Sequence, residues 1–150
     1  MAKLESWTSI GAIAMGLLFV SMMISFYAFL IGPEGEGPNV DVDPGALLYQ
    51  TISISGAPCL ILAGIVFGLS LRNRNVFAGL ILILTGLALI VGMIFTNTMI
   101  QDINIQFRTT GLEYAPSIFV VAGIGVLALG TYIAKIAPQS KIRHTRDFEQ

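Results

Sequence analysis

The chain has 150 residues, 55% of them hydrophobic and 11% charged, with a formal net charge of −1. A soluble domain usually carries about 25% charged residues, so the shortfall argues against a water-soluble fold and for a chain whose solvent is lipid. The near-neutral balance gives no electrostatic footing for a nucleic-acid partner.

Four apolar stretches dominate the chain, at residues 7–31, 51–71, 76–96 and 115–137, charge-free except for Lys135 near the end of the fourth. Each exceeds or matches the roughly 20 residues that a helix needs to cross a bilayer core. The fold class that follows is all-α and integral to the membrane. It is an antiparallel bundle of four transmembrane helices, forming one membrane domain over residues 1–150.

The first span is read as a retained anchor. Its apolar run is about twice the 7–15 residues typical of a signal-peptide core, and no small-residue cleavage site follows it. Loop one, residues 32–50, opens with glycine, proline and glutamate, then alternates Val40-Asp41-Val42-Asp43. Glu34, Glu36, Asp41 and Asp43 are its carboxylates. They lack the ligand series of an EF-hand, and a solvated acidic loop is the favoured reading over a weak calcium site.

The second span holds Pro58, the candidate kink, because proline removes a backbone donor and crowds the preceding turn. Ser53 and Ser55 are candidates to satisfy the freed carbonyls. The same span carries Gly64 and Gly68, a small-xxx-small pair. Lipid tails do not drive apolar helices together, so close packing of small residues must do so. The turn Arg72-Asn73-Arg74-Asn75 is short, which predicts a tight antiparallel hairpin between spans two and three.

Span three carries Gly79 and Gly86, and span four Gly123 and Gly130, each pair seven residues apart. Seven-residue spacing suits a left-handed helix crossing. These six glycines form the candidate helix-packing interface. Contacts within the bundle are the favoured reading, and docking on another subunit is the alternative. Loop three, residues 97–114, alternates Ile103-Asn104-Ile105-Gln106-Phe107-Arg108. Period-two alternation is a strand signal, so the two loops are expected to form a small β-ribbon. The competing reading extends span three as a helix. Ile103, Ile105 and Phe107 are the candidate outer contacts for a partner.

Basic residues near span ends favour the cytoplasmic side. Lys3, Arg72, Arg74, Lys135, Lys141, Arg143 and Arg146 all fall on one face, and only Arg108 lies opposite. Both termini are therefore expected in the cytoplasm, with loops 32–50 and 97–114 outside. Trp7, Tyr27, Tyr49, Tyr114 and Tyr132 are expected at the headgroup levels, where amphipathic rings are favoured. This layout resembles that of the tetraspan claudins. Loop one lacks that family's tryptophan and paired cysteines, so the chain is not assigned to it.

Catalytic groups are scarce. His144 is the sole histidine and Cys59 the sole cysteine, which leaves no zinc, copper or haem ligand set in this chain. Met15, Met22, Met23 and Met93 are read as packing residues. No catalytic residue, metal site or cofactor is expected.

The functional expectation is a non-catalytic accessory subunit of a larger integral-membrane complex, such as a membrane oxidoreductase of respiratory or monooxygenase type. Its partners would be other membrane subunits and the lipid bilayer. The alternatives are a homo-oligomeric solute or ion channel lined by Ser21, Ser25, Thr85 or Thr96, and a scaffold acting through the tail after Lys141.

Overall fold

The computed structural model describes residues 4–73 and 75–146, with side chains described as far as Ala137. Five α-helices follow one another: α1 (Leu4–Ile31), α2 (Pro44–Thr51), α3 (Ala57–Asn73), α4 (Val76–Met99) and α5 (Thr110–Arg146). A π-helical segment, Ile52–Gly56, joins α2 to α3 without a break. Four stretches, Leu4–Ile31, Pro44–Asn73, Val76–Asp102 and Thr110–Ala137, are helical, long and apolar enough to cross a membrane. The chain is an integral, multi-pass membrane protein with a helical bundle.

The helix starts have local causes. Asp43 caps α2: its Oδ1 accepts from the Gly45 amide at 3.0 Å and the Ala46 amide at 3.3 Å. Pro44 occupies the first turn, where a missing N–H costs nothing. Asn75 caps α4 by accepting from the Phe77 amide at 3.1 Å. Asp43 is thus a helix cap, a structural use for one of the loop-one carboxylates.

The π-helical segment sits just before Pro58. Proline at that position cannot donate to the Ile54 carbonyl one turn back. The helix widens there, and the Ala57 amide donates to Ile52, five residues earlier. The two serines do not serve the proline. Ser53 donates to Tyr49 at 2.8 Å, and Ser55 to Thr51 at 3.1 Å. The disruption around Pro58 takes the form of a change of helical register, a common setting for a single π-turn.

Cross-helix contacts fix the directions. Asn73 meets Glu5, the Cys59 thiol reaches the Ala12 carbonyl at 3.5 Å, and Ser55 lies against Met22. These make α1 and α3 antiparallel. Gly16 lies by Thr85 and Gly92 by Val20, so α1 and α4 run parallel. Gly79 faces Gly130 and Gly86 faces Gly123, so α4 and α5 are antiparallel. The order is up, down, up, down.

The anticipated tight hairpin between α3 and α4 does not form. They are antiparallel, but α4 packs chiefly on α5 and α1, and it meets α3 only lightly. The glycines of α4 face α5 and α1, where backbones approach most closely. A short connection fixes the direction of the next helix, but residue size decides its neighbours.

The main core cluster combines Phe19, Met23, Tyr27, Leu30, Leu89, Met93, Leu112 and Phe119. Phe19 and Phe119 pack with ring centroids 4.4 Å apart. Tyr27 is fully buried, which removes it from the headgroup belt. Trp7, Tyr49, Tyr114 and Tyr132 are exposed.

Among the described residues there is no strand, and the anticipated β-ribbon is replaced by turns. Ile100–Asp102 and Ile105–Phe107 are single 3₁₀ turns. Asn104 Oδ1 accepts from the Gln106 amide at 3.2 Å, and its carbonyl from Phe107 at 2.9 Å. A local asparagine turn thus captures the donors that a strand would have paired. Gly32, Gly35 and Gly37 have positive φ and turn the chain sharply after α1. Arg108 donates to the Ile100 carbonyl at 2.9 Å. It therefore adds a second donor to the first carbonyl after α4, which also accepts from the Ile103 amide at 3.2 Å.

Candidate functional site

The candidate glycines divide into two groups. Gly79, Gly86, Gly123 and Gly130 form a seam between α4 and α5. A Cβ on Gly79 would lie 3.1 Å from the Gly130 carbonyl oxygen. One on Gly130 would lie 2.9 Å from that of Gly79. At the second pair, a Cβ on Gly86 would lie 2.8 Å from the Gly123 carbonyl oxygen. The two seven-residue spacings are thus registered against each other, and these four glycines are used inside the bundle.

Gly64 and Gly68 face the other way. A Cβ at either would meet nothing within 4 Å. Around them Ile61 and Ile65 are exposed, while Ala63, Val66 and Ser70 turn inward. None of the described residues covers this face of α3. Lipid or another helix must cover it.

The three apolar residues of loop three also separate. Ile103 is buried in the main cluster, and Phe107 packs against that cluster and over Gly37. Only Ile105 points away, 80% exposed. Of the three, Ile105 alone is free to meet a partner.

Hydroxyl groups do not gather into a lining. Thr85 and Thr96 are buried and donate to their own helix, to Ile81 and Gly92, both at 2.8 Å. Ser21 and Ser25 are exposed on α1. Met23 and Met93 are core residues, and Cys59 is buried against Ala12. Among the described residues, no three His, Cys, Asp or Glu side chains come together as a metal site. The side chains of His144 and of the basic tail from Lys141 lie outside the described residues, as does Arg74.

One polar site was not anticipated. Glu5 is 1% exposed, although Leu4 and Trp7 beside it are bare. The Asn73 side-chain amide donates to Glu5 Oε1. Next to this pair, Asn75 Nδ2 donates to Ser6 Oγ at 3.0 Å. The start of α1 is thereby clasped to both sides of the α3–α4 turn. A buried carboxyl group is costly without hydrogen-bonding partners. The signal was available as Glu5 with Ser6 and Ser9 at the mouth of span one, facing a turn with two asparagines. It was overlooked because Glu5 falls just outside the charge-free stretch.

No family model, curated protein or solved structure matches this chain.

Proposed function

We propose that the protein is a non-catalytic accessory subunit of a larger integral-membrane complex, docking through one face of α3. The observation that carries this reading is the bare pair Gly64 and Gly68. In a bilayer, small residues let a neighbouring helix approach closely enough for backbone packing, which drives association there. The four other candidate glycines are used within the bundle, whereas these two have no packing partner among the described residues. Ile61 and Ile65 flank them as ridges, and Ile105 at the loop end adds a second exposed apolar contact.

The class of assembly proposed is a membrane oxidoreductase of respiratory or monooxygenase type, by analogy of size and composition alone. The role would be to pack against a catalytic subunit and stabilise it. In this reading both termini are cytoplasmic, following the clustering of lysine and arginine at the ends of the spans.

The test is the native mass of the untagged protein, solubilised gently from its own membranes, beside a Gly64→Trp, Gly68→Trp double variant. The wild type should migrate in a large assembly with other membrane subunits. The double variant should leave it while keeping the wild-type melting temperature. A small homogeneous homo-oligomer without partners would sink the reading.

A further inference from the structure

The clasp at the start of α1 sits over a set of enclosed oxygen atoms. Glu5 is 1% exposed, Ser9 0% and Ser70 1%. All of them belong to one interface. The buried residues of α1 recur as Glu5, Ser9, Ala12 and Gly16, and those of α3 as Cys59, Ala63, Val66 and Ser70. Cys59 lies against both Ala12 and Gly16. The two helices are antiparallel, so Ser70, about three turns further along α3, comes level with Glu5, and Ser9 stands one turn above. Asn73, one turn beyond Ser70, reaches Glu5 directly. Ala12 and Val66, both fully buried, close the site towards the bundle centre. Asn73 is itself exposed, so one side chain separates the site from the solvent at this end.

The hydrogen bonds of these groups leave an excess of lone pairs. A carboxylate can only accept, and Glu5 takes one hydrogen from Asn73. Ser9 spends its hydrogen on the Ser6 carbonyl at 2.8 Å, so towards the site its oxygen can only accept. The Ser70 hydroxyl is enclosed and has no partner among the described residues. Thr51, Ser55, Thr85 and Thr96, the other buried hydroxyls of the later spans, each bond to their own helix. The last carbonyls of α3 lack helical partners and carry the negative end of its dipole on the same side. A buried charge is paired or holds a metal ion, because leaving it bare in an apolar setting is costly. Asn73 is neutral, and among the described residues no lysine or arginine pairs with Glu5.

We infer that Glu5, Ser9 and Ser70 bind one monovalent metal cation of the sodium class between α1 and α3. The Glu5 carboxylate supplies the charge, and the two hydroxyl oxygens are neutral ligands. Asn73 orients the carboxylate and covers the entrance. A single carboxylate matches a single positive charge. Calcium takes about 6–8 oxygens and magnesium keeps several of its waters, so neither suits an enclosed site with one carboxylate. Zinc and copper favour nitrogen and sulfur ligands, which these residues do not offer. The bound ion fastens the inner ends of α1 and α3 together. This inference is independent of the accessory-subunit reading, since the site lies inside the α1–α3 interface and Gly64 and Gly68 point away from it.

The test is the thermal midpoint of the full chain, solubilised gently from its own membranes, as sodium replaces choline at fixed ionic strength and fixed pH. Binding of radiolabelled sodium to the same preparation is the direct measurement. The variants are Glu5→Gln, which keeps the shape and removes the charge, Ser70→Ala, which removes one ligand, and Glu34→Gln, an exposed carboxylate of loop one as control. In the wild type and Glu34→Gln the midpoint should rise with sodium and saturate, because a ligand that binds only the folded state stabilises it. Glu5→Gln should show neither the rise nor bound label. Ser70→Ala should need about tenfold more sodium for half the effect, the loss expected for one contact to a charged group. If Glu5→Gln does not fold, Ser70→Ala still carries the test, since its small change at one hydroxyl spares the packing. No sodium response in the wild type would overturn the inference and leave these oxygens to a buried water or to a neighbouring base such as Lys3 or Arg74. An undiminished response in Glu5→Gln, or an unchanged half-saturation in Ser70→Ala, would overturn it as well.

Discussion

Tyr27 donates its hydroxyl hydrogen to the Leu112 carbonyl oxygen at 2.7 Å, buried between the last turns of α1 and the first turn of α5. The residue four places after Leu112 is Pro116, which has no N–H to give. A side chain on α1 therefore replaces the backbone donor that α5 lacks. This satisfies a carbonyl in a place where water cannot.

Replacing Tyr27 with phenylalanine should destabilise the bundle by about 1–3 kcal/mol, the usual cost of leaving a buried polar group unpaired. Restoring the backbone donor with Pro116→Ala should reduce that penalty. The check is a double-mutant cycle on unfolding midpoints in detergent. An identical cost of Tyr27→Phe in both backgrounds would show that the hydroxyl is not standing in for the missing amide.

The α4–α5 seam should be intolerant of a single methyl group. A Cβ on Gly86 would lie 2.7 Å from the Leu127 backbone nitrogen, which cannot move aside without shifting α5. Gly86→Ala should cost about 1–3 kcal/mol through overpacking. Gly64→Ala should leave the isolated bundle unchanged or raise its stability by up to about 1 kcal/mol, since alanine is the better helix former. Thermal midpoints of the two variants, measured side by side, settle the contrast.

The clasp at the start of α1 predicts an asymmetry between its members. Asn73→Ala removes the donor to Glu5 and leaves a buried carboxyl group without it, which should cost about 1–3 kcal/mol. Glu5→Gln keeps an acceptor oxygen and the same shape, so it should cost less. If the two variants melt together, the hydrogen bond contributes little and Glu5 is held by packing alone.

The loop after α1 separates backbone strain from crowding. Gly35 has φ of 76° and open space around it, so Gly35→Ala should cost only the left-handed penalty of roughly 1–2 kcal/mol. Gly37 has φ of 92° and the Phe107 ring over it. Gly37→Ala should therefore cost more, and Phe107→Leu should recover the excess but not the strain. Unfolding midpoints of the three variants and the Gly37→Ala, Phe107→Leu pair test this.

The number of spans, their limits to within a turn or two, and the all-helical class were legible in the sequence. Charge is so costly in hydrocarbon that its scarcity, with the few charges kept near the ends, marks each span directly. The second span is the partial exception. It starts at Pro44, because Asp43 supplies a helix cap that the alternating valines and aspartates concealed. Loop three was read as extended from its alternation, and Asn104 turned it into a 3₁₀ segment through its own side chain and carbonyl. The positions of the glycines could be read, but not which of them faced inward.

The tertiary structure alone decided how the helices face one another. In water, an apolar stripe identifies the buried side of a helix. In a bilayer both sides are apolar, so hydrophobicity fixes depth and leaves rotation open. Rotation was set by where backbones could close together, at Gly79 with Gly130 and Gly86 with Gly123. It was set also by the few polar groups that needed partners: Tyr27 for the carbonyl orphaned by Pro116, and Asn73 for Glu5. Those pairings join residues far apart in the chain, and only the folded bundle brings them together.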